Sequence, residues 1–127
     1  MAKTVWRKTL NGELKKALEN AERIKRTGIK PLKIFVGWDS REDIAYQVCK
    51  QSILNHASVP VEIIPLKQQV LRKRGIYWRD EDKLASTEFT FTRFLIPFLS
   101  DYEGWSLFID CDFVFKTDIK ELFDLAK

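Results

Sequence analysis

The chain is short of the residues that build most metal and nucleophile sites: among its 127 residues there is one histidine, His56, one methionine and two cysteines, Cys49 and Cys111. A lone histidine with no second histidine or cysteine in register makes no zinc site, so His56 reads as a surface or capping residue at a helix end. Two cysteines in neither a metal spacing nor a disulfide framework fit a reducing compartment. With only five glycines, no G-x-G-x-x-G cradle occurs. The N-terminus lacks the apolar core of a signal peptide, and no run of about 18 apolar residues is present to cross a bilayer. These absences predict a soluble, cytoplasmic chain with no transmembrane segment.

What is present is ordinary for a globular protein, with 45% apolar and 31% charged residues. The length allows one domain with a real core. A formal net charge of +4 and a pI near 9.1 favour an anionic partner, and a nucleotide diphosphate satisfies that as well as nucleic acid does. Bases and aromatics do interleave at Arg72, Lys73, Arg74, Tyr77, Trp78 and Arg79. That stretch runs straight into Asp80-Glu81-Asp82 and no nucleic-acid motif accompanies it, so no nucleic acid is expected.

Residues 11–26 read as an amphipathic helix, with Leu14, Ala17, Leu18, Ala21 and Ile24 on one face, Asn11 as its N-cap and Gly28 as its stop. We divide the chain at this point into an N-terminal helical extension, 1–30, and a domain over 31–127. Residues 32–36 form an apolar strand, Gly37-Trp38-Asp39-Ser40 turns out of it, and a helix over 41–57 follows with Ile44, Ala45, Val48, Cys49, Ser52 and Ile53 or Leu54 inward. A second strand at 61–66 completes a right-handed βαβ unit. Residues 67–74 read as a short basic helix ending at Gly75, 76–78 as a short third strand, and 83–88 as a loop. Residues 89–99 read as a buried helix, since Phe91, Phe94, Leu95 and Phe98 cover more than one face. Arg93 stands amid them, either aimed at a ligand or paired with one of the chain's own acids.

Residues 105–115 carry the most chemistry. Leu107, Phe108 and Ile109 read as a strand buried on both faces, ending in Asp110-Cys111-Asp112. Ligands of open α/β sheets collect at the carboxyl edge, and hard cations take carboxylate oxygens. Strand alternation turns Cys111 away and lets Asp110 and Asp112 face one ion. A strand that simply ends in solvated acids has the same sequence, and Asp39 is equally a helix cap.

The order of these pieces resembles a family. The strand with Gly37-Trp38-Asp39, the segment Thr92-Arg93-Phe94-Leu95-Ile96-Pro97, the run Leu107 to Phe115 and then Thr117-Asp118-Ile119-Lys120-Glu121-Leu122-Phe123 are similar to GT-A fold glycosyltransferases. The likeness is to the family 8 type, related to glycogenin and bacterial galactosyltransferases, and covers about residues 32–127. It implies an α/β, Rossmann-like layer with a mainly parallel sheet flanked by helices, a nucleotide-sugar donor, UDP-sugar first, and Mn²⁺ or Mg²⁺. It implies donor contacts at Gly37, Trp38, Asp39, Arg93 and Asp110, with Asp39 on the base, and metal ligands at Asp110 and Asp112. Residues 116–125 would shape the rim of the site.

Family members continue with further strands, an acceptor pocket and a third metal ligand, so a donor-binding half is expected here. No residue of this sequence stands out as a nucleophile or base, and the catalytic residues stay unassigned. In the implied strand order, residues 106–110 lie beside 32–36 with their other edge open, so the chain is expected to self-associate through that edge, to cover it with the helix of residues 11–26, or to aggregate. Two other readings remain. One is a binding or interaction module that keeps the nucleotide half without catalysis. The other is a phosphatase of the haloacid-dehalogenase type, whose nucleophile motif is also an apolar strand ending Asp-x-Asp-x-Val but which needs a lysine and acids downstream.

Overall fold

The computed structural model describes Leu18, Glu19, Glu22 and residues 25–126. β1 spans Leu32–Gly37, a 3₁₀ turn Ser40–Glu42, α1 Asp43–His56, β2 Val61–Leu66 and α2 Gln68–Lys73. A second 3₁₀ turn at Thr92–Leu95 runs into α3, Ile96–Leu99, and β3, Ser106–Ile109, precedes α4, Lys120–Phe123. The sheet has three strands in the order β2-β1-β3, all parallel, with Gly37 beside Leu66 and Val36 beside Ile109. The chain is thus an α/β protein with a small parallel sheet flanked by helices.

Alternation along β1 divides the core between the two sheet faces. Ile34 and Val36 pack with Tyr46, Cys49 and Ile53 of α1 and with Ile109, while Phe35 packs on the other face with Leu71, Tyr77 and Leu99. The central strand is therefore buried on both sides. Each fully buried Ile, Val or Phe of this kind contributes about 1.5–3 kcal/mol relative to exposure. Pro65 is compatible with β2 because that strand pairs only on its β1 side.

Several expectations need correction. Leu18 lies in a helical stretch but is exposed, and the rest of the 11–26 stripe lies outside the described residues. The stop is where the sequence put it, since the helix ends at Thr27 and Gly28 has φ +70°. In α1 the inward face is Tyr46, Cys49, Ser52 and Ile53, while Ile44 is 81% exposed and Val48 and Leu54 are exposed too. Ala45, Cys49, Ser52 and Ile53 face the core as expected, and the correction is at the edge of the stripe, where Tyr46 is buried in place of Ile44 and Val48. Residues 76–78 form no strand; Gly75, at φ +68°, turns the chain so that Tyr77 enters the core while Trp78 faces out.

The aromatic helix over 89–99 is not one continuous buried helix. It is the 3₁₀ turn plus the single turn of α3, with Pro97 in the latter's first turn, and Phe94 is 71% exposed. β3 is not buried on both faces. Ser106, Leu107 and Phe108 are only partly covered and Ile109 alone is buried, as befits a strand paired on one side. Among the described residues no helix is long and apolar enough to cross a membrane.

Candidate functional site at the carboxyl edge of the sheet

Because all three strands run parallel, the segments that leave them emerge along one edge. Gly37-Trp38-Asp39 follows β1, Lys67 follows β2, and Asp110-Cys111-Asp112 follows β3. The structure thus brings Gly37, Trp38, Asp39, Asp110 and Asp112 to the same edge from two strands far apart in sequence.

Gly37 is where Phe89 crosses the end of β1. A Cβ on Gly37 would stand 2.5 Å from Phe89 Cδ2, inside any real contact distance, so a side chain fits only if the ring moves. The backbone then turns at Asp39, whose side chain is 1% exposed. Its Oδ1 accepts from the Arg41 backbone N–H at 2.9 Å, capping the 3₁₀ turn, and from Arg41 Nε at 3.0 Å. Its Oδ2 accepts from Arg41 Nη2 at 2.8 Å and from the Glu88 N–H at 3.1 Å. Four donors leave little capacity for a ligand. The helix-cap reading therefore describes Asp39 in this structure.

The same donors set its charge. Side-chain hydrogen bonds from Arg41 hold the Asp39 carboxyl far below the usual carboxylate range, against the opposing cost of burial. Arg41 is held charged in return. Around this pair the loop before Phe89 is clamped to the turn. Glu88 Oε2 accepts from Ser40 N–H at 2.8 Å, Glu88 Oε1 accepts from Ser40 Oγ at 2.6 Å, and Arg41 Nη2 also donates to the Ser86 carbonyl at 3.0 Å. Sequence reading missed Arg41 and Glu88. Asp39-x-Arg41 is visible as a close pair of opposite charges, whereas nothing local marks Glu88, which lies in a polar loop.

Trp38 is half-buried, donates from Nε1 to Asp43 Oδ1 at 2.9 Å and lies under Lys67, whose Nζ is 4.9 Å from the ring centroid. On the other side of β1, Asp110 is partly buried and Asp112 exposed, while Cys111 between them is buried in the α1-side core. These three residues form a turn beyond the end of β3, closed by the Phe113 N–H on the Asp110 carbonyl at 3.5 Å, so the burial of Cys111 between the two acids comes from the turn and not from strand alternation. Cys111 Sγ donates to Glu42 Oε2 at 3.3 Å. Burial, followed by that hydrogen bond, pushes its thiol up to about 12, and burial followed by the charge of Asp112 pushes Cys49 up to about 11. Both cysteines stay protonated at neutral pH and are poor metal ligands.

The segment carrying Asp112 is pinned beyond it as well. The Phe115 N–H donates to Ser52 Oγ of α1 at 2.9 Å, and Asp118 accepts from the Ser58 N–H at 3.2 Å and the Lys120 N–H at 3.0 Å. Among the described residues no three His, Cys, Asp or Glu side chains gather to hold a metal. Asp110 and Asp112 supply hard oxygen donors that suit Mg²⁺ or Mn²⁺ only if a ligand brings further oxygens.

Arg93 is not buried amid apolar side chains, and no ion pair joins it to an acid among the described residues. It is exposed on the 3₁₀ turn, with its Cζ 5.4 Å from the Phe94 ring, and it shares no hydrogen bond or ion pair with the edge residues. No buried charge needed compensating there, which removes the sequence-level argument for a partner.

No family model and no solved structure matches the chain. Among curated proteins it is similar to "Protein CDI" of Arabidopsis thaliana, 62% identical over 96 residues. That match takes in 76% of this chain and 37% of the plant protein, so the chain spans well under half the length of the curated relative it matches.

Proposed function

We propose that this chain is the nucleotide-sugar-binding half of a GT-A type glycosyltransferase, with a divalent ion held between Asp110, Asp112 and the donor's diphosphate. One observation carries the reading, the strand order β2-β1-β3. From β1 the chain crosses by α1 to β2 on one side, and from β2 it passes to β3 on the other side of β1, so the strand order reverses direction about β1. Open parallel sheets bind ligands in the crevice at such a switch point. Gly37-Trp38 forms one lip and Asp110 the other, with Gly37 and Asp110 each next after a paired residue in the Val36–Ile109 register.

In this reading the cation supplies charge neutralisation for a departing diphosphate. The chain's own residues do the rest. Asp110 and Asp112 would hold the ion with oxygens of the donor completing its shell, and the anchors at Cys111 and Phe115 keep the segment carrying Asp112 in place. Arg93, exposed and without an ion pair to any acid among the described residues, is a cation for the sugar or phosphate side of the donor. Asp39 acts as a positioning residue that fixes the turn behind Trp38, in place of the base contact that the family resemblance suggests.

Calorimetric titration of Mn²⁺ with and without UDP tests the proposal. Two carboxylates alone bind weakly, so UDP is expected to tighten Mn²⁺ binding at least tenfold, and Asp112→Asn to abolish that gain. Equal Mn²⁺ binding with and without UDP removes the support for a donor site.

A further inference from the structure

We infer that Lys67, together with Trp38, selects the donor's base, favouring bases that present a keto oxygen where their counterparts present an amino group. This inference rests on the donor-site reading above and assigns a specificity determinant within it. Its starting point is a half-buried cation at the end of β2. The register pairs Gly37 with Leu66, so the residues that follow, Trp38 and Lys67, are set side by side. The Lys67 backbone is fixed on both sides, its N–H donating to the Pro65 carbonyl at 3.0 Å and its own carbonyl accepting from the Leu71 N–H at 3.1 Å.

The ammonium at the end of this fixed stem has no carboxylate partner among the described residues; what it meets is the Trp38 ring at 4.9 Å. Trp38 is itself oriented, because Asp43 holds its indole N–H. A partly desolvated ammonium on an aromatic face keeps three donors and gains from an oxygen acceptor. Glu88 is held close to this point of the chain, its carbonyl accepting from Gln68 Nε2 at 3.0 Å, but its carboxylate is occupied by Ser40.

Position decides which part of the ligand reaches Lys67. From Asp110 at the end of β3 to Lys67 at the end of β2 is two strand spacings, roughly 10 Å. A diphosphate on the Asp110 side places ribose over β1 and the base toward β2. A flat base against the exposed part of Trp38 then brings its edge to the ammonium. The keto oxygen of uracil or guanine accepts a hydrogen bond there. The amino group that cytosine or adenine carries at the equivalent position is a donor facing a donor.

The test measures binding of UDP, CDP, GDP and ADP with Mn²⁺ to the 127-residue chain and to Lys67→Met and Lys67→Arg. Expected is at least tenfold preference for UDP over CDP and for GDP over ADP in the wild type, lost in Lys67→Met and retained in Lys67→Arg. Asp43→Ala, which frees the indole, is expected to weaken all four together. Nucleotide binding without the base preference, or with a preference that survives in Lys67→Met at unchanged secondary structure, overturns the inference and leaves the donor site standing. Failure of every nucleotide to bind overturns both.

Discussion

Asp39→Ala is expected to lower the free energy of unfolding by about 2–4 kcal/mol, the combined scale of a lost N-cap and of charge-assisted hydrogen bonds whose partners are left unmade. The carboxylate is nearly inaccessible and accepts from Arg41 and from the Glu88 N–H. Its removal releases both the turn after β1 and the loop at residues 86–89. Asp39→Asn keeps the shape but loses the charge and should fall between wild type and alanine. Urea denaturation measures both, and a change below about 0.5 kcal/mol for alanine, the range of an ordinary surface substitution, would contradict the clamp.

The pH dependence has a definite sign. The carboxyl is held below its unfolded value of about 3.9, so its contribution is complete above that pH and is lost as pH falls toward the depressed folded value. The gap between wild type and Asp39→Ala should be flat from neutrality to about pH 5 and narrow below about pH 4.

The second large effect concerns association. β3 pairs with β1 alone, and among the described residues nothing hydrogen-bonds its outer side. Trp105, 67% exposed, and Phe113, 51% exposed, bracket β3 in sequence. β2 also has a free edge, but Pro65 interrupts its donors; β3 has no proline, lysine or bulge. Sedimentation velocity is expected to show concentration-dependent association, with two copies pairing along β3. Replacing both flanking aromatics, Trp105→Lys with Phe113→Lys, should weaken it at least tenfold. A wild-type monomer across the accessible concentration range, or unchanged association in the double variant, would contradict this.

The parts of the fold readable in the sequence were those with a local cause. β2 has the expected bounds and β1 runs one residue beyond them; Gly28 and Gly75 take the left-handed conformation that stops a helix. That Gly37-Trp38-Asp39 and Asp110 open at one edge followed from the parallel βαβ reading, and the placing of β3 beside β1 followed from the strand order that the family resemblance implies. What failed had no local cause. Ile44 and Val48 share the helical spacing of Tyr46 and Cys49, and only the position of the sheet chooses which edge of the stripe is covered. Phe94 and Phe98 were counted as core on hydrophobicity, yet hydrophobic residues are often exposed when the elements around them leave a face open. The role of Glu88 depends on Ser40 and Asp39 across the whole βαβ unit, a distance that no periodicity encodes.

The central place of β1 also fixes an order of events in folding. Its partner on one side begins at Val61, one helix away, and on the other at Ser106, beyond two further helical segments and a long irregular stretch. Each doubling of a closed loop costs about 0.6 kcal/mol more entropy, and the distant pairing closes more than twice the chain. The β1-α1-β2 unit is therefore expected to form the folding nucleus, with β3 docking after the rate-limiting barrier. In kinetic terms, Ile64→Ala should act mainly by slowing folding, and Leu107→Ala mainly by accelerating unfolding. Until that docking, the most buried strand of the finished sheet has one side unpaired, and a ribosome-bound chain keeps it so for as long as synthesis takes to reach residue 109.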